Sequence, residues 1–252
     1  MACHSGPKTI FDEAIAYVDP MNKQTWYENL SGKLYINDRL DGDTVDGRLQ
    51  TYGITSNNFY DGHCTLDEVN GITWITGGHS FRLENICDGN TYYDVSRTGG
   101  AFTIWFKSST DYTSINYTGR ACILGSGSLS DFSAYCLWIQ NDPPYKLLGE
   151  TTLNNENWVN VDNVAEGGVW NNFTCTLSNS TATSYLNGEE IDVVSGLTGN
   201  VRIGNLSGYG YSSFGWDVPF FGSMGQHAIW DRALTEQEVK DIYNNYKSRY
   251  YK

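Results

Sequence analysis

Two carboxylates separated by one residue, Glu190 and Asp192, have the spacing of a catalytic pair on a β-strand. Residues two apart in a β-strand lie on the same face of a sheet, so a strand here would point both carboxylates in one direction. Hydrolysis of a glycosidic bond with retention of configuration uses two carboxyl groups about 5–5.5 Å apart, one as nucleophile and one as acid and base. The alternative is that both acids are polar surface residues of a strand that follows the turn Asn187-Gly188.

Other residues with catalytic or metal-binding chemistry form no recognisable pattern. The sequence has no Gly-x-Ser-x-Gly, His-Glu-x-x-His or Gly-Lys-Ser/Thr segment. Its four histidines would allow a triad by number, but none has a sequence context that suggests one. His63-Cys64, His79 and Cys87 do not have the spacing of common zinc sites, so we predict no metal centre. None of the six cysteines belongs to a Cys-x-x-Cys pair, and we expect most of them to be buried thiols.

A Gly-rich segment, residues 205–217, has the composition of a ligand-binding loop. Aromatic rings stack on the apolar faces of sugars, while amide and carboxylate groups bind the hydroxyls. The alternative is that these aromatic side chains pack within the protein or in a protein interface. We predict that the residues in contact with a ligand, whether a glycan or a protein partner, are Asn205, Tyr209, Tyr211, Trp216 and Asp217.

The composition narrows the classes of partner. The 252 residues include 16 Lys and Arg against 29 Asp and Glu, which gives a net charge of −13. A protein this acidic lacks the basic surface that nucleic acids and anionic lipid surfaces require, so we predict neither as a partner. No segment approaches the ~18 apolar residues of a membrane-spanning helix. The N-terminal residues lack the pattern of a secretory signal, and we expect none.

Short aromatic and β-branched runs separated by turn residues predict an antiparallel β protein. In residues 101–107, Phe102, Ile104 and Phe106 alternate with other residues and would line one face of a sheet. Residues 170–177 alternate in the same way. We therefore predict that both segments are strands whose alternate residues share one face.

The clearest turn signal is Asn187-Gly188, which suits a two-residue hairpin turn because both central residues need a positive φ. Regular pairing from this turn gives three opposite pairs on a mainly apolar face that we expect to be buried: Leu186 and Glu189, Ser184 and Ile191, and Ala182 and Val193. The other face, which we expect to meet solvent or a ligand, carries Thr183, Tyr185, Glu190 and Asp192.

One helix is predicted near the C-terminus, at residues 235–248. Thr235 and Glu238 have the spacing of a capping box, which satisfies free N–H groups at a helix N-terminus. Apolar residues that recur at helical spacing and supply a packing face are Val239, Ile242, Tyr243 and Tyr246. A single helix after many strands indicates an accessory element that covers a sheet edge.

Several of these segments together resemble one known family. The segments are residues 101–107, 170–176 and 185–190, followed by 201–205 and by 221–239, which contains an Arg-Ala-Leu corner before the helix. In order and spacing they resemble the laminin G-like branch of the concanavalin A-like lectin/glucanase superfamily, over roughly residues 100–246. The resemblance implies an antiparallel jelly-roll β-sandwich with one short C-terminal helix.

The resemblance also bears on catalysis and on cofactors. Laminarinase-type members carry Glu-x-Asp-x-(x)-Glu, and the third position here is Val194, or Ser195 if the strand contains a bulge. Without a third carboxyl nothing protonates the leaving oxygen, so we predict that the chain is not an enzyme. Some laminin G-like members bind Ca²⁺ through surface Asp residues. Asp94 and Asp217 are candidates, but they lack a recognisable ligand spacing and we predict no cofactor.

The N-terminal region resembles a narrower group. Residues 14–32 contain an apolar strand that ends in Asp19, a short loop and Asn29-Leu-Ser-Gly. They resemble the opening strand of laminin G-like proteins of tailed phages, and residues 77–83 resemble the next strand of those proteins. Such phage proteins are capsid decoration, neck, baseplate or tail-fibre subunits. Residues 38–72 are longer and more irregular than in that group, and an inserted interface loop is one interpretation.

These observations combine into one prediction for the whole chain. We predict an all-β fold, with a polar N-terminal arm over residues 1–13 and a single jelly-roll domain over residues 14–252. The predicted function is that of a non-enzymatic virion structural protein, located in the virion and in contact with other virion proteins as a homo-oligomer or in a larger assembly. A lectin or adhesin that binds a surface glycan is the alternative, and a divergent glycoside hydrolase is the second alternative.

Overall fold

A computed structural model provides the fold. The residues that it describes are 10–19, 21, 26–28, 34–36, 50–51, 64–67, 71–74, 81–82, 93–108, 120–125, 135–140, 146–150, 156–162, 167–203, 205–206, 220 and 222–251. They begin with a 3₁₀ helix, Ile10–Glu13, and end with an α-helix, α1, at Glu236–Tyr250.

The strands between these helices are short. In chain order they are β1 (Ala16–Val18), β2 (Trp26–Glu28), β3 (Leu34–Ile36), β4 (Gln50–Thr51), β5 (Cys64–Asp67), β6 (Gly71–Trp74), β7 (Phe81–Arg82), β8 (Tyr93–Val95), β9 (Gly99–Ser108), β10 (Arg120–Gly125), β11 (Tyr135–Gln140), β12 (Lys146–Glu150), β13 (Asn157–Asp162), β14 (Asn171–Ser178), β15 (Thr181–Leu186), β16 (Glu189–Ser195), β17 (Val201–Ile203), β18 (Asn205–Leu206) and β19 (Gly222–Trp230).

Two large antiparallel sheets form the sandwich. The eight-stranded sheet has the order β16-β15-β14-β9-β19-β6-β5, with β1 paired to β19 off this path. The seven-stranded sheet has the order β13-β12-β11-β10-β18-β7-β4. Within the described residues, two small pairs, β17 with β8 and β2 with β3, complete the pairing. The predicted all-β sandwich with one C-terminal helix is therefore confirmed.

The core lies between the inner faces of the two sheets. Phe102 and Ile104 of β9 are fully buried and pair with Cys175 and Phe173 of β14. From the seven-stranded sheet, the ring of Trp158 reaches Phe102 edge-on, with ring centroids 5.5 Å apart. Burying each large apolar side chain in this way stabilises the fold by ~1.5–3 kcal/mol. The alternation that the sequence predicts for β9 and β14 is confirmed.

Helix α1 begins at the predicted capping box. Thr235 is the N-cap, and its side chain and that of Glu238 each bind the other's backbone N–H. Val239 and Ile242 are fully buried in a cluster that includes Trp230 of β19. The helix therefore covers the outer face of the eight-stranded sheet, and not the sheet edge that the sequence suggested.

The C-terminal end of α1 is held to the same sheet. Arg249 donates two hydrogen bonds to the carboxylate of Asp19, at 2.8 and 3.0 Å, just after β1. The Tyr250 ring stacks on Trp105 of β9, with centroids 4.0 Å apart. The Tyr250 hydroxyl also accepts a hydrogen bond from the Gln226 backbone N–H at 2.8 Å. None of the helices in the described residues is long and apolar enough to span a membrane.

The 3₁₀ helix before β1 packs beside α1. Phe11 is buried, and its ring lies 5.6 Å from Trp230 and 5.0 Å from Tyr246. The indole N–H of Trp230 donates to the Ile10 carbonyl oxygen at 3.0 Å. Residues 1–9 of the predicted arm lie outside the described residues, and the division of the chain at residue 13 stays a prediction.

The β15–β16 hairpin contains an irregularity that the sequence analysis did not place. The turn is as predicted, with Asn187 and Gly188 at positive φ and Leu186 opposite Glu189. Beyond Tyr185 the predicted register is wrong, because Ile191 is an extra residue in a β-bulge. The observed pairs on the far side of the bulge are Ser184 with Asp192, Thr183 with Val193, and Ala182 with Val194.

Candidate functional site

The bulge separates the two carboxylates of the predicted catalytic pair. Glu190 lies opposite Tyr185, whose side chain belongs to the cluster beneath α1 on the outer face of the sheet. Asp192 lies opposite Ser184, which is fully buried on the inner side. The expectation that both carboxylates share one face is therefore wrong. Regular alternation would have placed them together, and the extra residue Ile191 reverses the alternation between them.

Asp192 has a structural role in this position. Its Oδ2 accepts a hydrogen bond from the backbone N–H of Asn160 in β13, at 2.9 Å. Its Oδ1 accepts from the Val193 N–H, also at 2.9 Å. Strands β16 and β13 are the neighbouring edges of the two sheets, so this carboxylate joins the sheets along one side of the sandwich.

The predicted ligand-binding loop begins in the seven-stranded sheet. Asn205 is the first residue of β18 and lies opposite Gly125 of β10 and Arg82 of β7. The other residues of that prediction, which lie outside the described residues, are Tyr209, Tyr211, Trp216 and Asp217. The assignment of a ligand site to this loop stays a prediction.

The outer face of the eight-stranded sheet is closed by the protein itself. Tyr185 was predicted to meet solvent or a ligand, but it is buried beneath α1. Next to it, the hydroxyls of Thr174 and Thr103 lie 2.8 Å apart, and the Asn172 amide donates to the Thr103 hydroxyl at 2.9 Å. All three polar side chains are fully buried and hydrogen bonded to one another. This face is an internal packing surface, which does not offer a site for a ligand.

The outer face of the seven-stranded sheet has a different character. Trp138, Leu148 and Asn160 lie opposite one another on β11, β12 and β13. The residues on either side of them along these strands, such as Leu137, Ile139 and Leu147, belong to the core, so this row faces outward. We call the outward-facing residues of these strands the front face; they are Trp138, Lys146, Leu148, Asn160 and Asp162.

The front face is only partly accessible, because Trp138 is 5% exposed. Asn160 and Asp162 are exposed, and Leu148 and Lys146 are half-buried. The Lys146 ammonium lies 3.5 Å from the Asp162 carboxylate. The half-buried Leu148, bordered by an amide, an ammonium and a carboxylate, gives a ligand rich in hydroxyl groups an apolar contact with donors and acceptors around it.

Sequence reasoning missed the front face. The available signal was the alternation in residues 135–140, where Trp138 stands between the apolar residues Leu137 and Ile139. A tryptophan between two core residues of a strand must face away from them. Because all three residues are apolar, composition alone gives no indication of which side is buried.

Among the described residues, one histidine is fully buried. His227 lies in β19, and its Nδ1 is 2.8 Å from the Thr103 carbonyl oxygen. Burial lowers the pKa of His227 to about 4, so the imidazole is neutral at pH 7 and Nδ1–H donates to that carbonyl. Within the described part of the chain, the other ring nitrogen, Nε2, has no hydrogen-bond partner. No nucleophile or carboxylate is hydrogen bonded to His227 there, and it forms no triad in those residues.

The one cysteine whose side chain is described is also inert. Cys175 is a free, fully buried thiol in β14, as expected for most of the cysteines. Burial raises the pKa of Cys175 far above its ordinary value, which keeps it protonated.

No metal centre is present among the residues that the structure describes, in which no three His, Cys, Asp or Glu side chains cluster. Asp94, a predicted Ca²⁺ candidate, is exposed on β8, with the Arg202 side chain 4.0 Å from its carboxylate. The side chains of the other candidates lie outside the described residues; they are His63, Cys64, His79, Cys87 and Asp217. The prediction of no cofactor stays a prediction.

Solved structures with a similar fold include a sialidase and a domain of a neurotoxin. The fold matches Trypanosoma rangeli sialidase in complex with sialic acid, with a TM-score of 0.59 and 12% identity, over 99% of this chain and 35% of that one. It also matches the ligand-binding domain of botulinum neurotoxin serotype D in complex with N-acetylneuraminic acid, with a TM-score of 0.57 and 12% identity, over 94% of this chain and 52% of that one. The chain thus spans from about a third to half of these proteins, and at this identity the likeness concerns the fold.

The comparisons at the level of sequence give the family. No curated protein sequence matches the chain significantly. A family model does match, over residues 88–240, which is more than half of the chain. Those residues contain β8 through the first turn of the capped helix, the same region whose segments carry the resemblance noted from sequence. The chain belongs to the laminin G-like family of the concanavalin A-like lectin/glucanase superfamily.

Proposed function

We propose that this chain is a non-enzymatic structural subunit of a tailed-phage virion that adheres to a surface glycan through its front face. The observation that carries the proposal is the contrast between the two outer sheet faces. One is sealed by α1, and the other presents Leu148, Asn160 and the Lys146–Asp162 pair to solvent. The bulge at Ile191 supports the absence of glycoside hydrolysis, because it separates Glu190 from Asp192.

The chemistry of the front face supports a glycan as the ligand. Sugar rings have apolar C–H faces bordered by hydroxyls that both donate and accept hydrogen bonds, and sites for them combine apolar surface with a few polar groups. Asn160 supplies a donor and an acceptor, and Asp162 supplies acceptors. The similarity of the fold to sialic-acid-binding structures is consistent with this class of ligand.

The virion assignment draws on the N-terminal region. Residues 14–32 resemble the opening strand of phage laminin G-like proteins, and β1, which lies in this region, pairs with β19 of the eight-stranded sheet. We propose that the neighbouring subunits are other virion proteins or further copies of this chain, in a capsid decoration, neck, baseplate or fibre position.

Glycan arrays test the adhesion. We expect the wild-type protein to bind a subset of surface glycans, and we expect the double variant Asn160→Ala/Asp162→Ala to bind at least about tenfold more weakly, because two hydrogen-bonding groups are removed. Gln237→Ala is the matched control, since Gln237 is exposed on α1 away from the front face. Trp216→Ala tests the predicted loop in the same assay. An array without any bound glycan would refute the adhesion.

The presence of this chain in the virion can be tested directly. Phage particles are purified from a lysate of cells infected with the phage that encodes this chain, and their proteins are identified by mass spectrometry. We expect the chain at a stoichiometric level, and an antibody to it should label one position on the particle in electron micrographs. Virions without this polypeptide would refute the structural role and leave the glycan binding to be judged separately.

A further inference from the structure

Two hairpin turns of the eight-stranded sheet carry an asparagine in nearly the same backbone conformation. Asn179, in the β14–β15 turn, has a φ of 49°, and Asn187, in the β15–β16 turn, has a φ of 55°. The residues that follow them, Ser180 and Gly188, also have positive φ, at 61° and 82°. The two asparagines therefore differ mainly in the residue that follows them and in their surroundings.

An asparagine side chain loses its nitrogen without an enzyme when the next backbone nitrogen reaches it. That backbone nitrogen bonds to the side-chain carbon Cγ, and its proton leaves with the carboxamide nitrogen as ammonia. Water then opens the resulting succinimide ring at either carbonyl group, which gives aspartate or isoaspartate. A glycine in the following position favours the attack, because it has no side chain to hinder the approach. The sequence Asn187-Gly188 is therefore a reactive one.

The folded protein holds the Asn187 side chain at both ends of its carboxamide. Oδ1 accepts a hydrogen bond from the Asn172 backbone N–H at 2.8 Å, and Nδ2 donates to Oδ1 of Asn171 at 3.2 Å. The reaction turns Cγ towards the Gly188 nitrogen and expels Nδ2, so both side-chain hydrogen bonds have to break. Breaking two hydrogen bonds of ordinary strength slows a reaction about thirtyfold.

Helix α1 covers the attacking residue. Gly188 is buried, and a Cβ atom added to it would lie 3.3 Å from both Cβ and Cδ1 of Tyr243. The Tyr243 ring is stacked on Trp105, with centroids 5.7 Å apart. A turn packed against a fixed ring resists the distortion that ring closure to a succinimide requires.

From these contacts we infer that Asn187 is a latent deamidation site, which reacts only in molecules whose α1 has lifted from the β15–β16 turn. The reaction needs water and no other reagent. The inference does not depend on the proposed function, since neither the front face nor a virion partner takes part in it.

The product no longer fits the place from which it came. Aspartate at this position keeps the acceptor for the Asn172 N–H but loses the donor to Asn171 Oδ1, so two acceptors face each other. Isoaspartate also adds a carbon to the backbone of a two-residue turn. Deamidation is therefore a one-way change that weakens the seat of α1. Asn187→Asp reproduces the first product, and we expect it to raise the equilibrium constant for unfolding at least about fivefold.

Peptide mapping by mass spectrometry, after storage in mildly alkaline buffer, measures the reaction at each asparagine. We expect Asn187 in the folded wild-type protein to deamidate at least about thirtyfold more slowly than in the same chain unfolded in urea. Equal rates in the folded and unfolded chains would overturn the inference.

Ser180→Gly gives a matched comparison within one folded chain, because it places a glycine after Asn179 where φ is already positive. Asn179 is exposed. Its reaction breaks one hydrogen bond, from the Ser180 backbone N–H to the Arg97 carbonyl oxygen at 2.9 Å, against two at Asn187. In this variant Asn179 should deamidate at least about fivefold faster than Asn187, and the reverse order would refute the protection of Asn187.

Two destabilised variants separate lifting of α1 from unfolding of the whole domain. Arg249→Ala removes the ion pair that ties α1 to Asp19, while Leu147→Ala leaves a cavity in the core beneath the seven-stranded sheet. Because local opening exposes only the elements that detach, Arg249→Ala should speed the reaction at Asn187 at least about tenfold more than Leu147→Ala does. Equal acceleration in both variants would assign the reaction to global unfolding and overturn the role of α1. The Ser180→Gly comparison decides on the protection of Asn187 even if one of these variants does not fold.

Discussion

The outer faces of the two large sheets differ in what covers them. On the eight-stranded sheet, α1 and the 3₁₀ helix bury the outward row, and its Thr and Asn side chains bond to one another. On the seven-stranded sheet, outward residues such as Asn160 and Asp162 remain exposed. Both faces are built from alternating strands, so alternation alone does not identify a binding face. The position of one helix decides which sheet face can meet a ligand.

Of the changes on the face that α1 covers, removing the ion pair that anchors this helix should lower the free energy of unfolding most. Asp19 is 2% exposed and accepts two hydrogen bonds from Arg249. Arg249→Ala would leave this carboxylate buried without its cation, which costs ~3–5 kcal/mol of unfolding free energy. Urea denaturation measures the loss.

The matched control for this variant lies on the front face. Lys146→Ala removes one partner of the Lys146–Asp162 pair, in which the Asp162 side chain is 60% exposed. Solvent-exposed pairs contribute ~0–1 kcal/mol, so a small loss is expected. Equal losses in both variants would contradict the distinction between a sealed and an open face.

The eight-stranded sheet should also make the stability of the protein depend on pH, because it contains the buried His227. Burial lowers the pKa of His227 from 6.5 to about 4, so between these values the unfolded chain binds a proton that the folded protein does not. The contribution of His227 to the free energy of unfolding is therefore fully present above pH 6.5. It is lost as the pH decreases to about 4, and below that pH it no longer changes. The difference corresponds to about 3 kcal/mol.

Thermal or urea unfolding across this range measures the effect. His227→Gln should remove this part of the pH dependence, whatever its effect on stability at pH 7. Glu238, whose pKa is lowered to about 2 by its hydrogen bonds with Arg232, loses its contribution between pH 4.5 and 2, so the two pH ranges overlap only between 4.5 and 4. An unchanged slope between pH 6.5 and 4 in the variant would show that His227 is not the group responsible.

The sequence predicts much of this fold because its signals are local. The alternation of Phe102, Ile104 and Phe106, the positive-φ turn at Asn187-Gly188 and the capping box at Thr235 each depend on a few neighbouring residues. The bulge at Ile191 depends instead on how β16 meets β15 and the edge strand β13, which no local pattern records. The candidate site was missed for the same reason, since the front face exists only where three strands align.

Removing the cap of α1 should lower the free energy of unfolding by a moderate amount. The Thr235 hydroxyl accepts a hydrogen bond from the Glu238 backbone N–H. The Glu238 carboxylate accepts one from the Thr235 backbone N–H, at 2.7 Å. Thr235→Ala is expected to lower the unfolding free energy by ~1 kcal/mol. Thr98→Ala, at an exposed turn of the β8–β9 connection, is the comparison and should cost less. A loss as large as that of Arg249→Ala would mean that the cap, and not the Asp19 anchor, holds α1 on the sheet.

The smallest expected effect is that of Glu190→Gln on glycoside hydrolysis, which tests the role of the carboxylates Glu190 and Asp192. With Glu190 on the helix side and Asp192 bound to the Asn160 N–H, these two carboxylates do not form the pair about 5–5.5 Å apart that retaining glycoside hydrolysis requires. Incubation with β-glucans or with the glycans that bind on the array should therefore release no reducing sugar, and Glu190→Gln should leave that baseline unchanged. Reducing sugar that disappears with Glu190→Gln would instead require an acid from outside the described residues beside Glu190. In that case the outer face near Tyr185 would be an active site, and the assignment of binding to the front face alone would be wrong.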